Sequence, residues 1–300
     1  MSNIIAVIWD FDKTLVDGYM QDPIFRKYHV DAGAFWKEVN ALPEKYEREQ
    51  HVRTNRDTIY LNHFINCAKP GGCFEGLSNK DLRAFGKELT FYRGIPEIFS
   101  ETKHMINDNK KYQEYGIKVE HYIVSTGFAE EIKGSPIMDY VDGVWGCELI
   151  EHDGVIAEIG YTIDNTSKTR AIFEINKGIP KHPEFDVNSK MPEEMRRVRF
   201  QNMIYIADGP SDIPAFSLVN KNGGSTFAIY PKGDLQAFRQ VEQMRHDDRI
   251  NMYAEADYSA GTTAYMWITG TIQQYADRIY NSEKARLKGS ISDSPHHLNG

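Results

Sequence analysis

The stretch Ile4-Ile5-Ala6-Val7-Ile8-Trp9-Asp10-Phe11-Asp12-Lys13-Thr14 decides the fold. Its first six residues form an unbroken apolar run rich in β-branched side chains. Such a run reads as a strand buried on both faces, the kind found in the middle of a parallel sheet. Two acids follow at once, where the chain would leave the sheet. Three further stretches repeat this pattern of a strand that stops at polar, turn-forming residues. Residues 119–124 lead into Ser125-Thr126-Gly127, residues 203–207 into Asp208-Gly209-Pro210-Ser211-Asp212, and residues 226–230 into Pro231-Lys232-Gly233-Asp234. Helical patterns lie between them. One opens near Pro96, and another begins at Lys168 and is stopped by Gly178 and Pro180. Strands alternating with helices predict an α/β fold, a Rossmann-like parallel sheet with both faces covered. Residues 148–164 depart from the alternation: His152-Asp153-Gly154 between β-prone runs predicts a hairpin inserted on the sheet.

Residues 18–92 have another character, with many aromatics and charges, helical patterns, and no run resembling a buried parallel strand. Thr54-x-x-Asp57 and Ser78-x-x-Asp81 both predict helix starts of the capping-box type, and Lys69-Pro70-Gly71-Gly72 a break between helices. The expected organisation is an α/β core of residues 1–17 and 93–285, interrupted by an all-helical subdomain at 18–92. Residues 286–300 are polar and without periodicity, and are expected to form a mobile tail.

A chain of 300 residues suits one large domain or a core with an insertion, and 41% hydrophobic with 26% charged residues reads as folded and globular. With 35 basic and 43 acidic residues the formal net charge is −8, and no long basic run occurs. Nucleic acid is therefore not an expected partner. The same acidic balance means that any phosphate site must be made locally positive, by a metal or a placed lysine. No stretch approaches the roughly 20 apolar residues of a membrane span, and the run at 4–9 is too short for a secretory signal. No membrane partner is expected, and the cytoplasm is the expected compartment. Cys67, Cys73 and Cys147 are odd in number and form no Cys-x-x-Cys pair, which argues against a disulfide framework or a zinc site.

The chemistry gathers at the strand ends. In extended backbone, residues i and i+2 point the same way, so Asp10 and Asp12 share a side while Phe11 turns toward the core. Open parallel sheets bind ligands beyond the carboxyl ends of their strands. Two like charges 4 Å apart repel by about 4 kcal/mol at an effective dielectric of 20, which a bound cation would relieve. Alone, the pair could equally be solvated turn acids. Ser125-Thr126-Gly127, ahead of a helix start, can offer a hydroxyl and backbone N–H groups to a phosphate, or simply cap that helix. Lys168 sits at a helix start, where the helix dipole disfavours a cation, and a fixed anion beside it would explain the placement. Asp208 and Asp212 add two carboxylates around a tight turn, suited to a hard cation such as Mg²⁺.

Taken in order, these motifs resemble the haloacid dehalogenase (HAD) superfamily of aspartyl-nucleophile hydrolases. They are most similar to its phosphoserine-phosphatase-like branch, which carries a helical C1-type cap between the first two motifs. The resemblance covers roughly residues 4–280. It implies a Mg²⁺-dependent phosphatase acting on a small phosphorylated metabolite through an aspartyl phosphate on Asp10, with Asp12 as general acid and base. It further implies that Ser125, Thr126, Gly127 and Lys168 hold the phosphoryl group, and that Asp10, the backbone carbonyl of Asp12, and Asp208 hold the metal. Thr14 and Asp212 would support them. Asp12 fits phosphoryl transfer better than dehalogenation, since an alkoxide leaving group needs a proton and a halide does not. A phosphotransferase or phosphomutase on the same site, or a non-catalytic phosphate- or metal-binding module, are the alternatives. Arg26, Lys27, Arg48, Arg53, Arg56 and Arg93 could meet an anionic leaving group, although solvated helix faces account for most of them. The tryptophans, Trp36 included, read as core.

Overall fold

The computed structural model describes residues 3–182 and 184–292. The run that opens the chain is β1, Ile4–Trp9, the middle strand of a seven-stranded sheet. After it come α1 (Asp22–Tyr28), α2 (Ala32–Gln50), α3 (Ile59–Ala68), α4 (Asn79–Gly86), α5 (Glu97–Asn107) and the short α6 (Lys110–Gln113). The chain then re-enters the sheet as β2 (Lys118–Phe128), turns through α7 (Ala129–Gly134), and forms the hairpin β3 (Gly143–His152) and β4 (Val155–Tyr161). Next follow α8 (Lys168–Lys177), β5 (Met203–Ala207), α9 (Ile213–Lys221), β6 (Ser225–Tyr230), α10 (Leu235–His246), β7 (Met252–Glu255) and α11 (Thr263–Ser292).

The sheet order is β4-β3-β2-β1-β5-β6-β7, parallel throughout except for the antiparallel β3–β4 pair. Alternation along β1 explains its unbroken hydrophobicity. Ile5, Val7 and Trp9 belong to one apolar cluster and Ala6 and Ile8 to the other, on opposite faces of the sheet. The first cluster continues into the helices between β1 and β2, where Phe64 stacks on Phe74 at 4.8 Å and meets Phe128 edge-on at 5.1 Å. Phe128, at the end of β2, thus plugs into the aromatic centre of those helices.

Most elements follow the local signals. Ser78 and Asp81 form the expected capping box of α4, and Gly178 ends α8 in the left-handed conformation at φ 77°. Others depart. Thr54 starts no helix: α3 begins after Thr58, no side chain caps it, and the Thr54 hydroxyl is buried without a partner. The chain around residue 54 is instead drawn toward the core, where Asn55 Nδ2 donates to Asp164 Oδ2 at 2.9 Å. Pro96 is the residue before α5 rather than its first. The stretch expected to be a tail from residue 286 continues α11 as far as Ser292, and its remainder, 293–300, lies outside the described residues. The three cysteines are free thiols, and no helix among the described residues is long and apolar enough to cross a membrane.

Beneath β1, Trp9 Nε1 donates to His121 Nδ1 at 3.1 Å, and His121 Nε2 lies 2.9 Å from Thr102 Oγ1. The threonine hydroxyl donates to the Ile98 carbonyl at 2.7 Å, so it accepts from Nε2–H, and the ring is the neutral Nε2–H tautomer. A proton on Nδ1 would set two N–H groups against each other. Burial, and then the charge of Lys103, hold His121 down to about 3. An unfolded histidine binds its proton near pH 6.5, so stability present above that value drains as pH falls toward 3. The expected slope from this residue is about 1.4 kcal/mol per pH unit inside that window. Urea unfolding across a pH series should show that slope in the parent chain and a shallower one in His121→Gln. Equal slopes would contradict the assignment.

Candidate active site

Register brings the strand ends together. Trp9 lies opposite Ile123 of β2 and opposite Ile206 of β5. Asp10 donates its backbone N–H to Ile206 O at 2.9 Å, one residue further out. Asp10, Ser125 and Asp208 therefore emerge at one edge of the sheet. Phe11 turns away as expected, fully buried with its ring edge-on to Phe91. Asp10, Asp12, Ser125, Thr126, Lys168 and Asp208 line a chamber of about 190 Å³, with Lys13, Tyr19 and Ser211 completing it. That is roughly six water volumes, room for a tetrahedral anion with a cation beside it.

Lys168 organises the chamber. It is 1% exposed, and its Nζ donates to Asp10 Oδ1 and to Asp212 Oδ1, both at 2.7 Å. These are the fixed anions that its place at a helix start called for. Burial alone would lower the amine's pKa, but Asp10 and Asp212 outweigh it and raise it above the usual lysine range. An ammonium has three donors, so one is left for a ligand. Upstream, Asp164 Oδ1 accepts from the N–H groups of Thr166 and Ser167, which fixes the turn leading into α8. Asp212 does not line the chamber. It is fully buried behind Lys168, where Tyr205 OH donates to Oδ1 at 2.6 Å and Ser211 Oγ to Oδ2 at 2.9 Å.

The other acids are held differently. Asp10 Oδ2 accepts from Thr14 Oγ1 at 3.0 Å, while the Thr14 carbonyl accepts from Tyr258 OH at 2.7 Å. Burial pushes the Asp10 pKa up, Lys168 pulls it back and Asp212 pushes it up again, for a net rise. Asp12 Oδ1 accepts one bond, from Met20 N at 2.9 Å. Burial first, and Asp10 second, lift its carboxyl well above the ordinary range. No hydrogen-bond donor among the described residues reaches the Asp208 carboxylate, and burial together with Asp10 and Asp212 pushes it up to about 7.

Oxygens of Asp10, Asp208 and Asp212 all lie within 4.8 Å of one another. Set against four carboxyls, Lys168 is the one fully buried cation among the described residues. An acid cluster with a donor-free carboxylate at its centre suits a divalent cation with oxygen ligands. These side chains could hold a metal ion.

The Ser125 segment forms an irregular end of β2. Strand β2 runs on to Phe128, with a break in register between Val124 and Phe128, and the expected helix start follows at Ala129, where no side chain caps α7. Ser125 Oγ accepts from Gly127 N at 3.0 Å, which leaves its hydroxyl proton free for a ligand. Thr126 gives its carbonyl to Tyr60 OH at 2.6 Å. A Cβ on Gly127 would come within 2.3 Å of the buried Met20 side chain, so glycine here lets the loop that carries Met20 close down. Gly127 itself lines a neighbouring space rather than the chamber. Trp36, expected in the core, is half-buried and lines that same space, as do Gln21, Arg56 and Tyr60. Sequence patterns did not mark Gln21, Tyr60 or Tyr205, because their roles arise from contacts across more than one element. Among the basic residues set aside earlier, Arg26 pairs with Glu88 and Arg48 with Glu49, both at the surface.

No family model matches the chain. Its fold is that of the haloacid dehalogenase superfamily. It superimposes on a HAD family hydrolase from Salmonella enterica serovar Typhi with a TM-score of 0.52 at 14% identity, covering 84% of this chain and 67% of the other. A phosphoserine phosphatase in its apo form gives a TM-score of 0.47 at 17% identity, over 83% of this chain and 92% of the other. The chain is 37% identical over 284 residues to a Borreliella burgdorferi protein described as an uncharacterized protein, a match spanning 89% of this chain and 95% of that one. It belongs to the same family as that protein.

Removing one partner of a buried ion pair leaves an uncompensated charge and costs about 3–5 kcal/mol. Asp212→Ala should lose stability on that scale in chemical unfolding. Asp212→Asn, which can still accept from Lys168 and Tyr205, should lose less. An alanine variant as stable as the parent would show that Lys168 does not depend on Asp212.

Proposed function

We propose that this chain is a Mg²⁺-dependent phosphatase that hydrolyses a small-molecule phosphomonoester through an aspartyl phosphate on Asp10. The observation that carries the reading is the chamber itself. Two carboxyls two residues apart face a buried ammonium and a free hydroxyl proton across a space sized for a phosphoryl group.

In the first half-reaction an Asp10 oxygen attacks phosphorus as the bond to the leaving oxygen breaks. Asp12, kept protonated by burial and by Asp10, gives its proton to that oxygen and releases an alcohol. In the second half-reaction Asp12, now ionised, takes a proton from a water that attacks phosphorus. The Asp10–phosphorus bond breaks, and inorganic phosphate leaves. Lys168, through its third N–H, and Ser125, through its hydroxyl, bind phosphoryl oxygens, with Thr126 and Gly127 shaping that side. Thr14 holds the second oxygen of Asp10, and Asp212 positions Lys168. Mg²⁺ would be held by Asp10, the backbone carbonyl of Asp12, and Asp208, and would supply positive charge against the phosphoryl oxygens. Residues 18–92 would serve as the cap over a core of 1–17 and 93–285. Supporting this are Asn55 on Asp164, Asn165 N on Asp57 Oδ2 at 3.3 Å, and Tyr60 on Thr126, which seat these helices beside the chamber.

A panel of phosphomonoesters with Mg²⁺ tests the reading. Asp10→Asn should abolish turnover, and Asp12→Ala should slow it by about 10²- to 10⁴-fold. Chelator should remove activity that Mg²⁺ restores. Mg²⁺ should also raise the melting temperature of the parent chain but not of Asp208→Asn, a readout independent of turnover. Activity in Asp10→Asn equal to the parent's would remove the nucleophile assignment. Phosphate passing to added alcohols faster than to water would replace hydrolase with phosphotransferase.

A further inference from the structure

Beside the strand-end chamber a second space of about 460 Å³ opens toward the helices between β1 and β2. The two spaces share Asp12, Tyr19 and Thr126, so they meet at the acid that would protonate a leaving group. Whatever leaves with Asp12's proton must occupy this second space.

Its lining contains an unexplained side chain. Gln21 is 4% exposed, and no described residue hydrogen-bonds its amide. It is the residue before α1, where a side chain commonly caps the helix, yet it makes no cap bond. A primary amide carries two donors and an acceptor. The amide therefore faces the space with its full hydrogen-bonding capacity. Its neighbour Met20 supplies the N–H that holds Asp12, which ties its position to the acid.

The rest of the wall narrows the chemistry. Trp36 meets Phe25 and Phe35 edge-on, at 87° and 86°, and Tyr60 at a tilt of 53°, so no described ring stacks on its indole. Of the lining carboxylates, Asp12 Oδ1 accepts from Met20 N at 2.9 Å and Asp57 Oδ2 from Asn165 N at 3.3 Å. Arg56 is exposed to solvent at the rim. What the wall offers is flat aromatic surface and a neutral amide, the combination that receives a ring carrying hydroxyl or amide edges.

Building on the phosphatase reading, we propose that Gln21 is a specificity residue that hydrogen-bonds the leaving group. The substrates are then phosphomonoesters of ring-bearing alcohols, whether sugars or nucleosides.

Steady-state kinetics on the full chain with Mg²⁺ test this, using hexose phosphates, nucleoside monophosphates, phosphoserine, phosphocholine and p-nitrophenyl phosphate. The parent should favour one of the two ring classes in kcat/KM over phosphoserine and phosphocholine by at least about tenfold, and which class leads identifies the ring. Gln21→Leu should lose at least about tenfold more kcat/KM on that class than on p-nitrophenyl phosphate, whose ring lacks those edges, with most of the change in KM. Gln21→Asn should recover part of the difference. Equal losses on both substrates would mean that Gln21 is structural, and a preference for phosphoserine or phosphocholine would overturn the class. Failure of the phosphatase reading is told apart by binding. Hexose phosphates and nucleoside monophosphates titrated into Asp10→Asn should change tryptophan fluorescence, and the additional Gln21→Leu change should weaken that binding by about tenfold. No fluorescence change with either ligand class would overturn the proposal whatever the kinetics.

Discussion

The ammonium of Lys168 is the interaction on which the rest of the site depends. Burying an unpaired ammonium costs several kcal/mol even after relaxation, so this side chain can sit at 1% exposure only with anions in contact. It has two, one from the end of β1 and one from the turn after β5. Lys168 itself comes from the first residue of α8. Three elements far apart in sequence are thereby held to one point. The carboxylates gain as well, because Asp10 and Asp212 could not both be buried this close without a cation between them.

The same centre separates the two acids of the first motif. Asp10 touches the ammonium and a threonine hydroxyl, both of which favour its charged form. Asp12 has a single backbone N–H, and Asp10's charge adds to the effect of burial in keeping it protonated. Two carboxyls two residues apart thus occupy environments that suit one as anion and the other as acid. Environments that push apart the roles of paired carboxyls are how acid and nucleophile are assigned in one site. The donor-free Asp208 belongs to the same pattern, since burial, Asp10 and Asp212 push it up to about 7 against the pull of Lys168 and Lys13.

Much of this was legible in the sequence because it depends on local pattern. A buried parallel strand must be apolar on both faces, so β1 and β5 stand out as runs, and each ends where a polar motif begins. The oddity of a lysine at a helix start pointed to an anion, and the structure supplies two. Elements that rest on tertiary support escaped. The first half of β3 is interrupted by Gly143 and Gly146 and β7 is only four residues long, so neither reads as a buried strand, and both form because β2 and β6 offer edges to pair with. Thr54-x-x-Asp57 carries a capping-box pattern, but Asp57 is taken by Asn165 N and Asn55 by Asp164, so contacts across the fold override the local signal. Trp36 reads as core from composition, and only the placement of α2 over the strand ends brings it to the edge of a cavity.

The loop from Lys13 to Gln21 joins the chemistry to whatever is recognised. Lys13 adopts a left-handed backbone at φ 55° and its N–H bonds Gly18 O, which folds the loop back over the strand end. Gly18, at φ 126°, lies in a region open mainly to glycine. The returning chain sets Met20 against Gly127, with its N–H on Asp12, and delivers Gln21 into the adjoining space. One short segment therefore fixes the direction of the acid and the position of an unpaired amide facing the leaving-group side. Any displacement of this loop would move both together. Proton donation and recognition at this site are in that sense a single mechanical unit, anchored on a glycine that belongs to a different strand.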